Sequence, residues 1–155
     1  MPYPEGVDWV WVGVDSKGHV AAFVTAGIGP APGHILGEHR PSIDPEGTEE
    51  RISDLPRVSE AIVPPSQERH SSFVELAERG FFVFDWTDVH RTLVESKGNY
   101  EKVAEPASPL ALAQLPADLR LAASSVQFDD VTFSAVSSID VRRHFRCAEP
   151  SCSTG

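Results

Sequence analysis

The run VDWVWVGVDSKGHVAAFVT, residues 7–25, limits the fold more than any other part of the chain. Successive side chains of a strand point to opposite faces. Over 7–15 that places Val7, Trp9 and Trp11 on one face and Val10, Val12 and Val14 on the other. Both faces are apolar, so the spacing predicts a central strand covered on both sides. Asp15-Ser16-Lys17-Gly18 predicts the turn, with Gly18 free to take a positive φ. The returning strand, 19–25, sets Val20, Ala22 and Val24 against Ala21, Phe23 and Thr25. A β-hairpin is the first expectation.

Farther along, 27–45 is rich in Gly and Pro and predicts a loop. Thr48 is placed to cap a helix with Glu49 and Glu50 in its first turn, where the helix dipole favours anions. Pro56 limits that helix, and Val58, Ala61 and Ile62 predict a second short helical face. Residues 72–79 are the strongest helix: Ser72 and Glu75 have capping-box spacing, Phe73, Leu76 and Ala77 form an apolar stripe, and Gly80 follows. FFVFDW, 81–86, is apolar on both faces and predicts a second inner strand. Lys97-Gly98-Asn99 reads as a turn, 100–104 as a strand, Ser108-Pro109 as the start of a helical turn, and 116–123 as a helix. Over 131–141 the alternate positions Val131, Phe133, Ile139 and Val141 predict a half-exposed strand. Strands and helices do not alternate regularly. The fold class is therefore α+β, one domain over 1–146 with a largely antiparallel sheet, an N-terminal hairpin and a few short helices. Residues 147–155 are expected to form a loose tail.

The chain has 155 residues and a net charge of −10. That charge opposes general nucleic-acid binding and attachment to an anionic membrane, and it suits a basic protein partner. No apolar run reaches the roughly 18 residues of a spanning helix. The start, MPYPEGVDW, has neither a basic nor an apolar leader segment, so no secretory signal is expected. Cys147 and Cys152 do not make a disulfide framework, and a reducing cytoplasm is the simplest compartment.

TAGIGPAPG raises the question of a phosphate cradle. Gly27 and Gly29 fit the first two places of G-x-G-x-x-G, but Pro32 takes the third and Gly33 comes one residue late. Pro30 and Pro32 have no N–H to offer a phosphate. The segment reads as a hairpin exit. His34, Glu38 and His39 resemble a metal motif faintly, but the histidines are five apart, about 140° around a helix. His144, Cys147 and Cys152 are too sparse for zinc. No metal and no cofactor are expected.

The most site-like patch is Asp85, Asp88 and His90, where an aspartate just after an inner strand would orient a histidine as general base. No nucleophile accompanies it. Trp9, Trp11 and Trp86 are core residues or, if exposed, interface residues. The acidic stretch 38–68, with Glu46, Glu49 and Glu50, is the expected binding surface for a basic partner.

The pattern D-W-V-W-V-G-V-D-S-K-G-H-V-A-A-F-V-T-A-G resembles the N-terminus of a group of small bacterial proteins with no assigned activity. F-V-F-D-W-T-D-V-H-R and Y-E-K-V-A-E-P-A-S-P-L are similar to that group as well. The resemblance implies no catalytic residues. By size and charge the chain is also similar to immunity proteins of bacterial toxin systems, which implies a non-catalytic inhibitor of a basic toxin. The alternatives are a small hydrolase-like enzyme using the Asp/His pair, and a sensor domain with an aromatic-lined pocket.

Overall fold

The computed structural model describes residues 3–4, 8–36, 44–87 and 99–149. They form a single α+β domain around one mixed sheet. The predicted hairpin is present: β1 (Val10–Asp15) runs antiparallel to β2 (Val20–Val24), with Trp11 opposite Phe23 and Val12 opposite Ala22. Gly18 has φ +79°, as the turn requires. The turn is tied internally, because Asp15 Oδ1 accepts the N–H groups of Lys17 and His19 at 2.9 and 3.0 Å.

The remaining strands are β3 (Ala31–Pro32), β4 (Ala61–Ile62), β5 (Phe82–Thr87), β6 (Asn99–Pro106), β7 (Gln127–Phe128), β8 (Ser138–Ile139) and β9 (Cys147–Ala148). The main sheet has the order β4-β6-β5-β2-β1-β7, and β8 also pairs with β6. β5 and β6, β4 and β6, and β6 and β8 are antiparallel. β2 with β5 and β1 with β7 are parallel. β5 is the second inner strand foreseen from FFVFDW. β1 is covered on both faces as expected, although it lies next to the short edge strand β7 rather than at the centre.

Alternation along the strands divides the core between the two faces. One face carries Val10, Val12, Val20, Ala22, Val24, Val83 and Val103. The helices α1 (Thr48–Ser53), α2 (Ser71–Glu78) and α3 (Ala117–Ser124) cover it through Ile52, Leu76, Ala77, Leu119, Ala122 and Ala123. In α3 the spacing Leu119, Ala122, Ala123 is one helical stripe, and Leu121 points away into solvent. Arg51 of α1 and Asp118 of α3 clamp two helices with N–H donations at 2.7 and 3.2 Å.

The other face is aromatic, and irregular chain rather than helix covers it. Phe23 lies at its centre, stacked on Trp11 at 4.0 Å and on Phe84 at 5.2 Å between ring centroids. Phe128 also stacks on it at 5.5 Å, and Tyr100 and Phe133 close around it edge-on. Burying a ring of this size contributes about 2–3 kcal/mol. Trp11 Nε1 donates to Tyr100 Oη at 3.2 Å, and Tyr100 donates in turn to the Pro30 carbonyl at 2.9 Å, so these two buried polar groups are paired in series.

Several expectations are corrected. Val58, Ala61 and Ile62 do not build a helix; Ala61 and Ile62 pair with Glu105 and Pro106 as β4. α1 starts at Thr48 itself, with Gly47 before it, and the Thr48 hydroxyl donates to the Asp44 carbonyl. α2 begins at Ser71 after His70, so Ser72 and Glu75 lie within the helix and form no capping box. Gly80, φ +94°, ends it as foreseen. Ser108-Pro109 starts no helical turn; a 3-10 turn follows at Leu112–Gln114. The strand expected over 131–141 is largely a series of turns, and only β8 pairs within it. Val131, Phe133, Ile139 and Val141 are nevertheless buried; Ile139 is held by β8 and the other three by irregular chain rather than by a pleat. The tail is not loose from its start, because Cys147 and Ala148 pair with Pro32 and Ala31.

Candidate functional site

Asp85 lies toward the C-terminal end of β5, between Val24 of β2 and Glu101 of β6. Its parity is that of Val83, so it faces the helices. β1 and β6 run opposite to β5, so their N-terminal ends lie beside its C-terminal end. Asp8, two residues before Val10, and Glu101, two before Val103, therefore reach the same end of the same face. Glu49 in the first turn of α1 and Glu75 on α2 complete the group.

The electrostatics follow from that convergence. Burial pushes the Asp85 carboxyl up to about 6, and the charges of Asp8 and Glu101 add to the rise; His70 and the Trp86 N–H oppose it. Loss of surrounding water raises Asp8 as well, against the Ala26 N–H that donates to it at 2.9 Å. Glu49 is raised by burial first, then by Asp8 and Glu75. This acidic rim lies where the sheet meets α1 and α2: Glu49, Asp85 and Glu101 are half-buried and Asp8 and Glu75 exposed, with Arg79 3.7 Å from Glu75 and Gln67 Nε2 donating to Glu101 at 3.2 Å.

Asp88 and His90 lie outside the described residues, as do Glu38 and His39. Of the acidic surface residues, Glu46 and Glu50 are exposed and Glu49 is half-buried. Sequence reasoning singled out Glu49 and Asp85 but missed Asp8, Glu75 and Glu101. For Asp8 and Glu101 the signal was the parity they share with Val10 and Val103, which has meaning only once strand order is known; Glu75, on α2, joins them through helix packing.

The three tryptophans are buried. Trp9, Trp11 and Trp86 are 1%, 2% and 8% exposed and belong to the aromatic core. A cavity of about 30 Å³ bordered by Trp9, Trp11, Ile35 and Pro45 has room for about one water, so the aromatic face offers no sensor-sized pocket there.

The Gly/Pro run is a hairpin exit. Ala26 and Gly27 take positive φ, and the N–H groups of Ile28 and Gly29 turn back onto the Thr25 carbonyl. A Cβ on Gly29 would stand 2.5 Å from Tyr100 Oη and 2.9 Å from Trp86 Cβ. Glycine is needed there for close packing on the aromatic core.

His34 Nε2 lies 2.6 Å from the Ser125 carbonyl, which ties the ring to the end of α3. Burial pushes the Cys147 thiol up to about 11, so it is held as a thiol. Among the described residues no group of three or more His, Cys, Asp or Glu is placed to hold a metal. No described helix is long and apolar enough to cross a membrane. Compared with protein-family models, with curated proteins and with solved structures, the chain matches none.

Proposed function

We propose that this chain is a non-catalytic binding module that receives a basic protein surface on the acidic rim around Asp85, in the manner of an immunity-type inhibitor of a basic toxin. The feature that supports it most is the half-buried Asp85 set between β2 and Glu101 of β6 with Asp8 at the same end of the sheet; burial first, and then those charges, raise its carboxyl. Carboxylates held together without full hydration lose stability in the free protein. A lysine or arginine brought among them relieves the repulsion, so part of the partner's affinity is stored in the fold. The net charge of −10 steers a cationic partner toward the chain over longer distances.

The test starts with capture of partners from the source lysate at low and high salt, followed by calorimetry on the captured protein. Binding should weaken steeply with salt, and Asp8→Asn/Glu49→Gln/Asp85→Asn should lose at least tenfold in affinity, about 1.4 kcal/mol. At pH 6 binding should release protons, because an incoming cation lowers the Asp85 carboxyl again. Salt-independent binding, or an unaffected triple variant, would overturn the reading.

The enzyme reading draws on the same carboxyl, since a group near 6 suits a general base at neutral pH. It requires Asp88 and His90 to stand beside Asp85, and it predicts a bell-shaped rate profile that Asp85→Asn abolishes.

A further inference from the structure

On the aromatic side of the sheet, away from the acidic rim, lies a groove of about 740 Å³ between the start of β6 and the turns that follow β7. Its volume falls among those of small-molecule sites, about 300–1,000 Å³. The turns that wall it are pinned rather than free. Ser16 N–H donates to the Val131 carbonyl at 2.9 Å, Phe133 N–H to Asp15 Oδ2 at 2.8 Å, and Lys102 N–H to the Ser137 carbonyl at 2.8 Å. Lys102 Nζ adds a donation to the Phe133 carbonyl at 3.0 Å.

The lining has two chemical parts. Half-buried Val136 and the largely buried Val131 and Ile139 supply an aliphatic edge. Arg143, Asp140 and the Asp130–His144 pair, Oδ1 to Nδ1 3.4 Å, supply charges of both signs. The Arg143 backbone N–H donates to the Asp140 carbonyl at 3.1 Å, while its guanidinium makes no hydrogen bond or ion pair with any described residue, so that planar donor fork is open to a carboxylate. A simple anion would meet repulsion from Asp130 and Asp140, and a simple cation would meet Arg143. A ligand carrying both charges close together satisfies both.

We infer that this groove binds an α-amino acid with an aliphatic side chain. The carboxylate goes to Arg143, the ammonium group to Asp130 or Asp140, and the side chain to the Val131, Val136 and Ile139 edge. The site is separate from the acidic rim, and it stands or falls independently of the proposed partner.

The experiment is an amide NMR titration of the full chain with L-leucine, with leucinamide, which lacks the carboxylate, and with 4-methylpentanoate, which lacks the ammonium group. L-Leucine should give saturable shifts at Ser138, Ile139 and His144. Both truncated probes, and L-leucine against Arg143→Gln, should bind at least about tenfold more weakly, the loss expected for one charged hydrogen-bonding group. Arg143 is exposed, so its replacement leaves the fold intact, which the unchanged remainder of the spectrum verifies. No saturable shift with L-leucine up to about 50 mM, weaker than ordinary millimolar recognition, would overturn the inference. Equal binding of 4-methylpentanoate, or an unaffected Arg143→Gln, would do the same.

Discussion

Asp85→Asn should stabilise this protein, and only above mildly acidic pH. The carboxyl rises from an ordinary 3.8 to about 6 in the fold, chiefly through burial, with Asp8 and Glu101 adding to the rise and His70 opposing it. A group whose folded value is raised favours the folded state fully below its unfolded value. That contribution is lost as pH climbs through the folded value. Ionised Asp85 is therefore a burden on the fold at pH 7 and none at pH 3.5. A shift of roughly two units corresponds to roughly 3 kcal/mol without screening. Asp85 is half-buried, and solvent screening reduces this to about 1–1.5 kcal/mol. Asparagine keeps the shape and can still accept the Trp86 N–H. For a chain of this size the gain is about 2–6 °C in Tm. The assay is thermal unfolding of wild type and variant from pH 3.5 to 8. The difference should grow between pH 4 and 7 and then level off. A variant less stable at pH 8, or a difference independent of pH, would refute the reasoning.

Asp15 is 7% exposed and accepts the N–H groups of Lys17, His19 and Phe133. Asp15→Ala leaves them unpaired and should cost about 2–4 kcal/mol, read by urea unfolding. Gly29→Ala forces a methyl into Tyr100 and Trp86 and should cost about 1–3 kcal/mol, with loss of near-ultraviolet dichroism from the aromatic face. Phe23→Ala opens the centre of that face and should cost about 3–5 kcal/mol in the same measurement. With the Cys147 thiol held at about 11, alkylation of Cys147 at pH 8 should be slow in the native protein and fast in denaturant, as peptide mass spectrometry would show.

The sequence by itself determined what depends on neighbours along the chain. The β1–β2 hairpin was legible because its turn residues and its alternation of apolar side chains are local. The same holds for β5, for α3 and for the close of α2 at Gly80. Local chemistry also answered the Gly/Pro question, since prolines without N–H groups cannot cradle a phosphate whatever surrounds them. Tertiary structure decided what depends on strand order. Nothing local tells that β2 lies beside β5, or that Asp8, Asp85 and Glu101 therefore meet at one end of one face. The segment 131–141 shows the same limit from the other side. Its alternation predicts a pleat, yet Asp15, Ser16 and Lys102 capture its backbone groups and bend it into turns. Alternating burial specifies which side chains go inward. It does not specify which partner satisfies the backbone, and in this protein those partners lie about a hundred residues away in β1 and about thirty away in β6.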